Sequence, residues 1–193
     1  MKTVVIEGQL RTGTGKKAAR DLRSEGKVLG VIYGGKEEVH FTAPVLSFRS
    51  LVYTPEFQIA EIKVDGKSYR CILKDKQFDV VTDALNHVDF LELVEGRQVV
   101  ANLPLRFVGQ SVGVKAGGRL VIKMKTLKVR TMPEHLIEGI EVDITDLQLN
   151  GNIRVEDVKQ ENMEFMNPAR QPIASVVMTR ALRQAETEEK KGK

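Results

Sequence analysis

The sequence predicts a mainly β protein in two parts, an N-terminal β domain with short helices followed by an all-β domain. Three observations carry this. Short runs alternating apolar and polar residues recur along the chain, punctuated by Gly, Asn and Pro turn signals. Helical signals are confined to the first part, and no amphipathic helix of any length stands out after about Leu93. The length, 193 residues, exceeds the roughly 100–150 of a typical single domain. The reading is therefore a mixed but mainly β domain over 1–93, an all-β domain over 94–182 and a charged tail over 183–193.

Taken in order, Thr3 to Leu10 is β-branched and interrupted by Glu7 and Gly8, which suits a strand. Gly13 and Gly15 mark a loop. Lys16 to Glu25 reads as a short helix, with Gly26 where a helix stop is expected. Val28 to Tyr33 is a second strand, closed by Gly34-Gly35. Pro44, as a first-turn residue, opens another helical stretch through Tyr53. Phe57 to Val64 and Lys67 to Lys74 flank Asp65-Gly66, a dipeptide that readily supplies the positive φ angles of a tight hairpin. Asn86 to Val94 is a further strand.

Beyond Glu95-Gly96 the strand-like runs are Val99 to Val108, Arg119 to Thr131 and Ile173 to Thr179. Gly117-Gly118, Met132-Pro133, Asn150-Gly151 and Asn167-Pro168 separate them. The tail from Arg183 to Lys193 is charged and poor in apolar residues, which predicts disorder or fraying.

Apolar residues make up 41% of the chain, enough for packed cores. Aromatics are scarce at 5% with no Trp, which argues against reading single-stranded bases by stacking. Cys71 is the single cysteine, so no internal disulfide is expected and a reducing compartment fits. The N-terminus lacks a signal-peptide pattern, and no apolar run approaches the ~18–20 residues of a membrane span. A soluble, cytoplasmic protein without a membrane partner is the expectation.

Net charge is a mild +4, but it is local. Between Arg11 and Lys27 stand Arg11, Lys16, Lys17, Arg20, Arg23 and Lys27 against Asp21 and Glu25, a surplus equal to that of the whole chain. Lys16, Arg20 and Arg23 fall at i, i+4 and i+7 and share one helix face, while Ala18, Ala19 and Leu22 lie on another that can pack on a sheet. Three cations on one face repel each other, so an anionic partner explains them better than folding does. RNA phosphates fit that role. A solvated helix face is the alternative.

Gly13-Thr14-Gly15-Lys16-Lys17-Ala18 matches G-x-G-x-x-A between a strand and a helix, with Glu37 about twenty residues further on. A nucleotide-binding enzyme would use that loop within a parallel βαβ sheet, whereas the downstream chain reads as antiparallel and hairpin-rich. It is not a P-loop, because Lys17 stands where Ser or Thr is required. Catalysis and metal binding find little else. His40, His87 and His135 are scattered, Cys71 has no partner at zinc-ligand spacing, and Glu37-Glu38 and Glu156-Asp157 lie in polar surroundings. No cofactor and no small-molecule substrate are expected.

In His87-Val88-Asp89-Phe90, alternation puts His87 and Asp89 on one strand face and Val88 and Phe90 on the other. Such a polar pair can bond base edges or 2′-hydroxyls, and Asp89 would face an amino group rather than a phosphate. An exposed strand end is the alternative. Tyr33, before Gly34-Gly35, could set its hydroxyl beside the basic helix, or be a core tyrosine.

Three blocks carry a family resemblance: Gly15-Lys16-Lys17-Ala18-Ala19-Arg20-Asp21-Leu22-Arg23, Gly26-Lys27-Val28-Leu29-Gly30-Val31-Ile32-Tyr33-Gly34 and His87-Val88-Asp89-Phe90. Together they resemble the bacterial large-subunit ribosomal protein family that binds 5S rRNA. Gly113 to Gly118, Met132 to Leu136 and Ile140 to Ile144 resemble the second domain of its longer branch, the general stress protein CTC type. The resemblance implies an N-terminal β-barrel shaped like an anticodon-binding domain, a C-terminal β domain and no enzymatic activity. It implies binding to the loop E region of 5S rRNA in the central protuberance of the large ribosomal subunit; for the second domain, neighbouring ribosomal proteins, other RNA or no essential contact all stay open. The RNA contacts it implies are Arg11, Lys16, Arg20, Tyr33, His87 and Asp89, with Arg23 beside them. Leu29-Gly30 stands where the family usually has Pro-Ala, and Ala19 and Asp21 replace residues often Ser and Arg, so the helix is less cationic than in some relatives. A protein-interaction module centred on the second domain remains the competing non-enzymatic reading.

Overall fold

The structure, a computed structural model, describes residues 1–180 and Gln184. The expected tail, Gln184 apart, lies outside the described residues. The chain divides into two compact units, one built from Met1–Ala101 with Thr131–Glu138 and the other from Asn102–Arg130 with the chain from Gly139.

The first unit runs β1 (Thr3–Leu10), α1 (Lys16–Ser24), β2 (Lys27–Tyr33), β3 (Val39–Pro44), α2 (Arg49–Val52), β4 (Ile59–Val64), β5 (Lys67–Phe78) and β6 (Leu85–Glu92). These six strands close into a barrel in the order β1-β3-β2-β6-β5-β4. Parallel pairing of β1 with β4, from Thr3↔Ile59 to Gly8↔Val64, completes the ring. A second parallel pairing, Leu29↔His87 to Tyr33↔Leu91, joins β2 to β6. Closure leaves no free edge along which another chain could pair.

The interior is filled by Phe41, Phe48 and Phe90, with ring centroids 6.0–6.4 Å apart, among Ile6, Val28, Ile32, Ile62 and Val88, all fully buried. Phe41 dictates two glycines. A Cβ on Gly30 would stand 2.5 Å from its ring, and one on Gly8 would stand 2.7 Å from it. Gly30, one of the departures from the family pattern, is thus the space into which Phe41 packs.

Several expectations need adjustment. Val39–Pro44, not foreseen as a strand, forms β3 and pairs with β2 from Lys27↔Pro44 to Ile32↔Val39. Pro44 is extended (φ −60°, ψ 142°) and ends that strand instead of starting a helix. Helical structure begins after it, as a 3-10 turn at Val45–Phe48 running into α2. β5 continues to Phe78, beyond the Lys74 expected, across an irregularity between Leu73 and Asp75. The Asp65-Gly66 hairpin is as expected, with φ of 48° and 78°.

The second unit continues β7 (Val99–Val108) from the first and adds α3 (Val112–Lys115), β8 (Arg119–Ile122), β9 (Thr126–Thr131), β10 (Ile140–Asp143), β11 (Asn152–Arg154), β12 (Met163–Phe165) and β13 (Pro172–Val177). They form a four-stranded sheet, β10-β7-β9-β12, and a three-stranded one, β11-β13-β8. The run expected from Arg119 to Thr131 therefore breaks. The N–H groups of Lys123 and Met124 both donate to Ile173 O, at 2.8 and 3.1 Å, and the strands on either side enter different sheets. α3 is a single turn capped by Ser111, whose buried hydroxyl donates to Leu147 O at 2.5 Å. Leu103, Leu127, Val129, Ile140, Ile173 and Val176 are fully buried here.

Candidate RNA-binding face

Helix α1 begins at Gly15, whose φ of 113° lies outside the range an L side chain readily adopts. It ends at Glu25, followed by Gly26 at φ 75°. It lies against β2. Ala18, Ala19 and Leu22 are half-buried and no residue of α1 is fully buried, so the helix sits shallowly on the barrel. Leu29 points out of the barrel yet is only 2% exposed, as expected for an outward residue under a helix.

Lys16, Arg20 and Arg23 are all exposed. Arg23 fixes where their face points: its Nε donates to Asn86 O, on β6, at 3.3 Å. The cationic flank of α1 therefore borders β6, the strand that carries His87 and Asp89. Alternation holds there, since Val88 and Phe90 are fully buried while the side chains of His87 and Asp89 are 25% and 29% exposed. His87 Nδ1 lies 2.7 Å from Asp89 Oδ1, but without hydrogen-bond direction, so that buried nitrogen has no hydrogen-bond partner among the described residues.

Tyr33 closes the group from the β2 side. Burial, then the carboxylates of Asp89 and Asp75, push its phenol above the ordinary tyrosine range, so at neutral pH it is a hydroxyl able to donate. The site includes two residues that sequence reasoning missed. Gln77 lies directly across from His87, and Asp75 across from Asp89. Both belong to the part of β5 beyond Lys74, where charged residues hide the strand pattern. The hairpin with β4 ends at the Ile59↔Ile72 pair, so only the register of β5 against β6 brings them to the site.

Arg11 is not brought to this face. Its N–H donates to His40 O at 2.9 Å and its Nε to Gly13 O at 2.7 Å. It lines a cleft of about 350 Å³ with Asp21, Leu22 and Glu25, on the opposite flank of α1. The helix is thus cationic toward β6, while on the Arg11 flank Asp21 and Glu25 are balanced by Arg11 and by Lys27, whose Nζ lies 3.0 Å from Glu25.

The Gly13/Gly15 loop has lost its nucleotide-binding context. β1 and β2, the strands on either side of α1, are not neighbours, because β3 lies between them, antiparallel to both. No parallel βαβ unit surrounds the loop. Among the described residues, no three His, Cys, Asp or Glu side chains are grouped to hold a metal ion, and no helix is long and apolar enough to cross a membrane.

The arrangement offers two kinds of chemistry side by side. Exposed guanidinium and ammonium groups on α1 can neutralise phosphates. The strip of Tyr33, Gln77, His87 and Asp89 offers directional donors and acceptors, and its carboxylates disfavour phosphate and favour amino or hydroxyl groups.

Comparison with known proteins agrees in both units. Residues 6–90 match the Ribosomal L25p family, and residues 98–180 match the C-terminal domain of ribosomal protein TL5. Among curated relatives, the large ribosomal subunit protein bL25 of Amoebophilus asiaticus is 41% identical, over 100% of this chain and 99% of its own. Those of Cytophaga hutchinsonii and Porphyromonas gingivalis are 39% and 40% identical, each over 96% of this chain and 97% of their own.

Proposed function

The chain belongs to the ribosomal L25p family, a component of the large ribosomal subunit and not an enzyme, and on that premise we propose that it binds 5S rRNA through the face shared by α1 and β6. The observation that carries this is the Arg23–Asn86 contact, which sets a row of cations alongside a polar strip on the same barrel wall. A regular RNA duplex hides its base edges in a deep, narrow major groove, so a rigid convex wall suits a widened, non-standard helix such as loop E. Lys16, Arg20 and Arg23 would lie along a phosphate backbone, while Tyr33, His87 and Asp89 would read base edges or 2′-hydroxyls. Arg11, across the helix, would reach a separate stretch of backbone. In this reading residues 1–93 hold the RNA, residues 94–182 face other ribosomal components, and the protein works in the cytoplasm as part of the ribosome.

Arg20→Ala and His87→Ala test the assignment in filter-binding titrations against isolated 5S rRNA. Each should weaken binding by about five- to tenfold, on the order of 1 kcal/mol, with circular dichroism unchanged. Wild-type affinity in both variants would remove the site.

A further inference from the structure

The β5–β6 connection carries a feature that RNA binding by the barrel wall leaves unused. Val80 and Val81 are 97% and 90% exposed, next to Phe78, whose ring lies tilted against that of the exposed Tyr53 with centroids 6.2 Å apart. Exposure this complete means that neither valine contributes to the barrel core. The turn that displays them is nevertheless firmly built. Asp79 N–H donates to Ala84 O at 2.8 Å, and Asp83 N–H donates to Asp79 O at 3.1 Å. Asp79 Oδ1 accepts from the N–H groups of Val81 and Thr82, both at 3.0 Å. Asp83 completes the turn at a φ of 53°.

A backbone satisfied internally, holding two apolar side chains in water, is pre-organised for contact. Its charge selects the kind of partner. Asp79 and Asp83 bracket the valines with no cation between them, so the tip would be repelled by phosphate and attracted to lysine or arginine. The same two strands carry Gln77, His87 and Asp89, so the tip lies at the margin of the RNA-binding face, where RNA gives way to its surroundings.

We propose that the Asp79–Asp83 turn is a docking element that inserts Val80 and Val81 into an apolar pocket, rimmed by lysine or arginine, on a neighbouring protein of the large subunit. The proposal rests on membership of the subunit but not on which RNA the barrel wall binds.

The test compares the full-length wild type with Val80→Ser/Val81→Ser in two assays: affinity for isolated 5S rRNA, and retention on large subunits depleted of this protein and washed at increasing salt. The double variant should keep its RNA affinity within about twofold and lose about tenfold or more in subunit retention. In a second arm, a photo-reactive Val80→p-benzoylphenylalanine should cross-link within the subunit to a protein, identified by mass spectrometry, and the adduct should survive ribonuclease. Equal retention of variant and wild type would overturn the proposal. So would a cross-link to rRNA, or an equal loss in both assays, which would make the tip part of the RNA contact. Should the wild type bind subunits but not isolated 5S rRNA, the RNA assignment fails by itself, and the tip is still judged by retention and cross-linking.

Discussion

At Gly30 the absence of a side chain is structural, because the ring of Phe41 occupies the place a Cβ would need. Gly30→Ala should therefore overpack the barrel and cost about 1–3 kcal/mol in urea denaturation. Cys71 is inert for a related reason. Burial, reinforced by the charge of Glu92, pushes its thiol up to about 12, so it should resist thiol reagents at pH 7 until the protein is unfolded. Rapid labelling under native conditions would place it in a different environment. Asp79 behaves in the opposite sense. The N–H groups of Thr82 and then Val81 hold its carboxyl below the usual aspartate range. A depressed folded-state pKa gives a contribution that is present above the unfolded value of about 3.9 and is lost as pH falls through the folded one. The destabilisation by Asp79→Ala should thus be largest near neutral pH and shrink in acid, measured as the shift in urea midpoint at each pH.

At the scale of elements, legibility depended on whether a segment's pattern was local. The α1 helix was readable because Gly15, the cation spacing and Gly26 all lie within a dozen or so residues, and β6 because His87-Val88-Asp89-Phe90 alternates cleanly. β3 was hidden by Pro44, which opens a helix as readily as it closes a strand, and only pairing with β2 decides between them. The far half of β5 was hidden because Lys74, Asp75 and Lys76 break the apolar alternation where the strand leaves the core. With it went Gln77 and Asp75, which the candidate site gains only from cross-strand register. Arg11 was grouped with the other contacts by the family resemblance and by its place in the basic segment, yet it lines the cleft beside Asp21, Leu22 and Glu25 on the other flank of α1. That geometry has a measurable consequence. Arg20→Ala should reduce the slope of log affinity against log salt by about 1, as expected for one lost phosphate contact. An unchanged slope would mean that the cationic flank of α1 does not lie on the backbone.

For the whole molecule, the two-part β architecture was visible in the recurrence of short strands, and the N-terminal barrel that the family resemblance implied is present, though the strand pattern alone did not show its closure. It depends on the parallel pairings of β1 with β4 and of β2 with β6, between segments far apart in sequence and joined by no turn signal. Closure is what turns two weak local signals into one surface, by carrying β6 to the side of β2 where α1 presents Lys16, Arg20 and Arg23. That surface is proposed to recognise a particular folded RNA, not negative charge in general. The direct measurement is a binding titration of the full-length protein with isolated 5S rRNA and with a regular RNA duplex of equal length, at one physiological salt concentration. Binding to 5S rRNA at least a hundredfold tighter, about 2.7 kcal/mol, is the predicted result. Equal affinity for the two RNAs would contradict it.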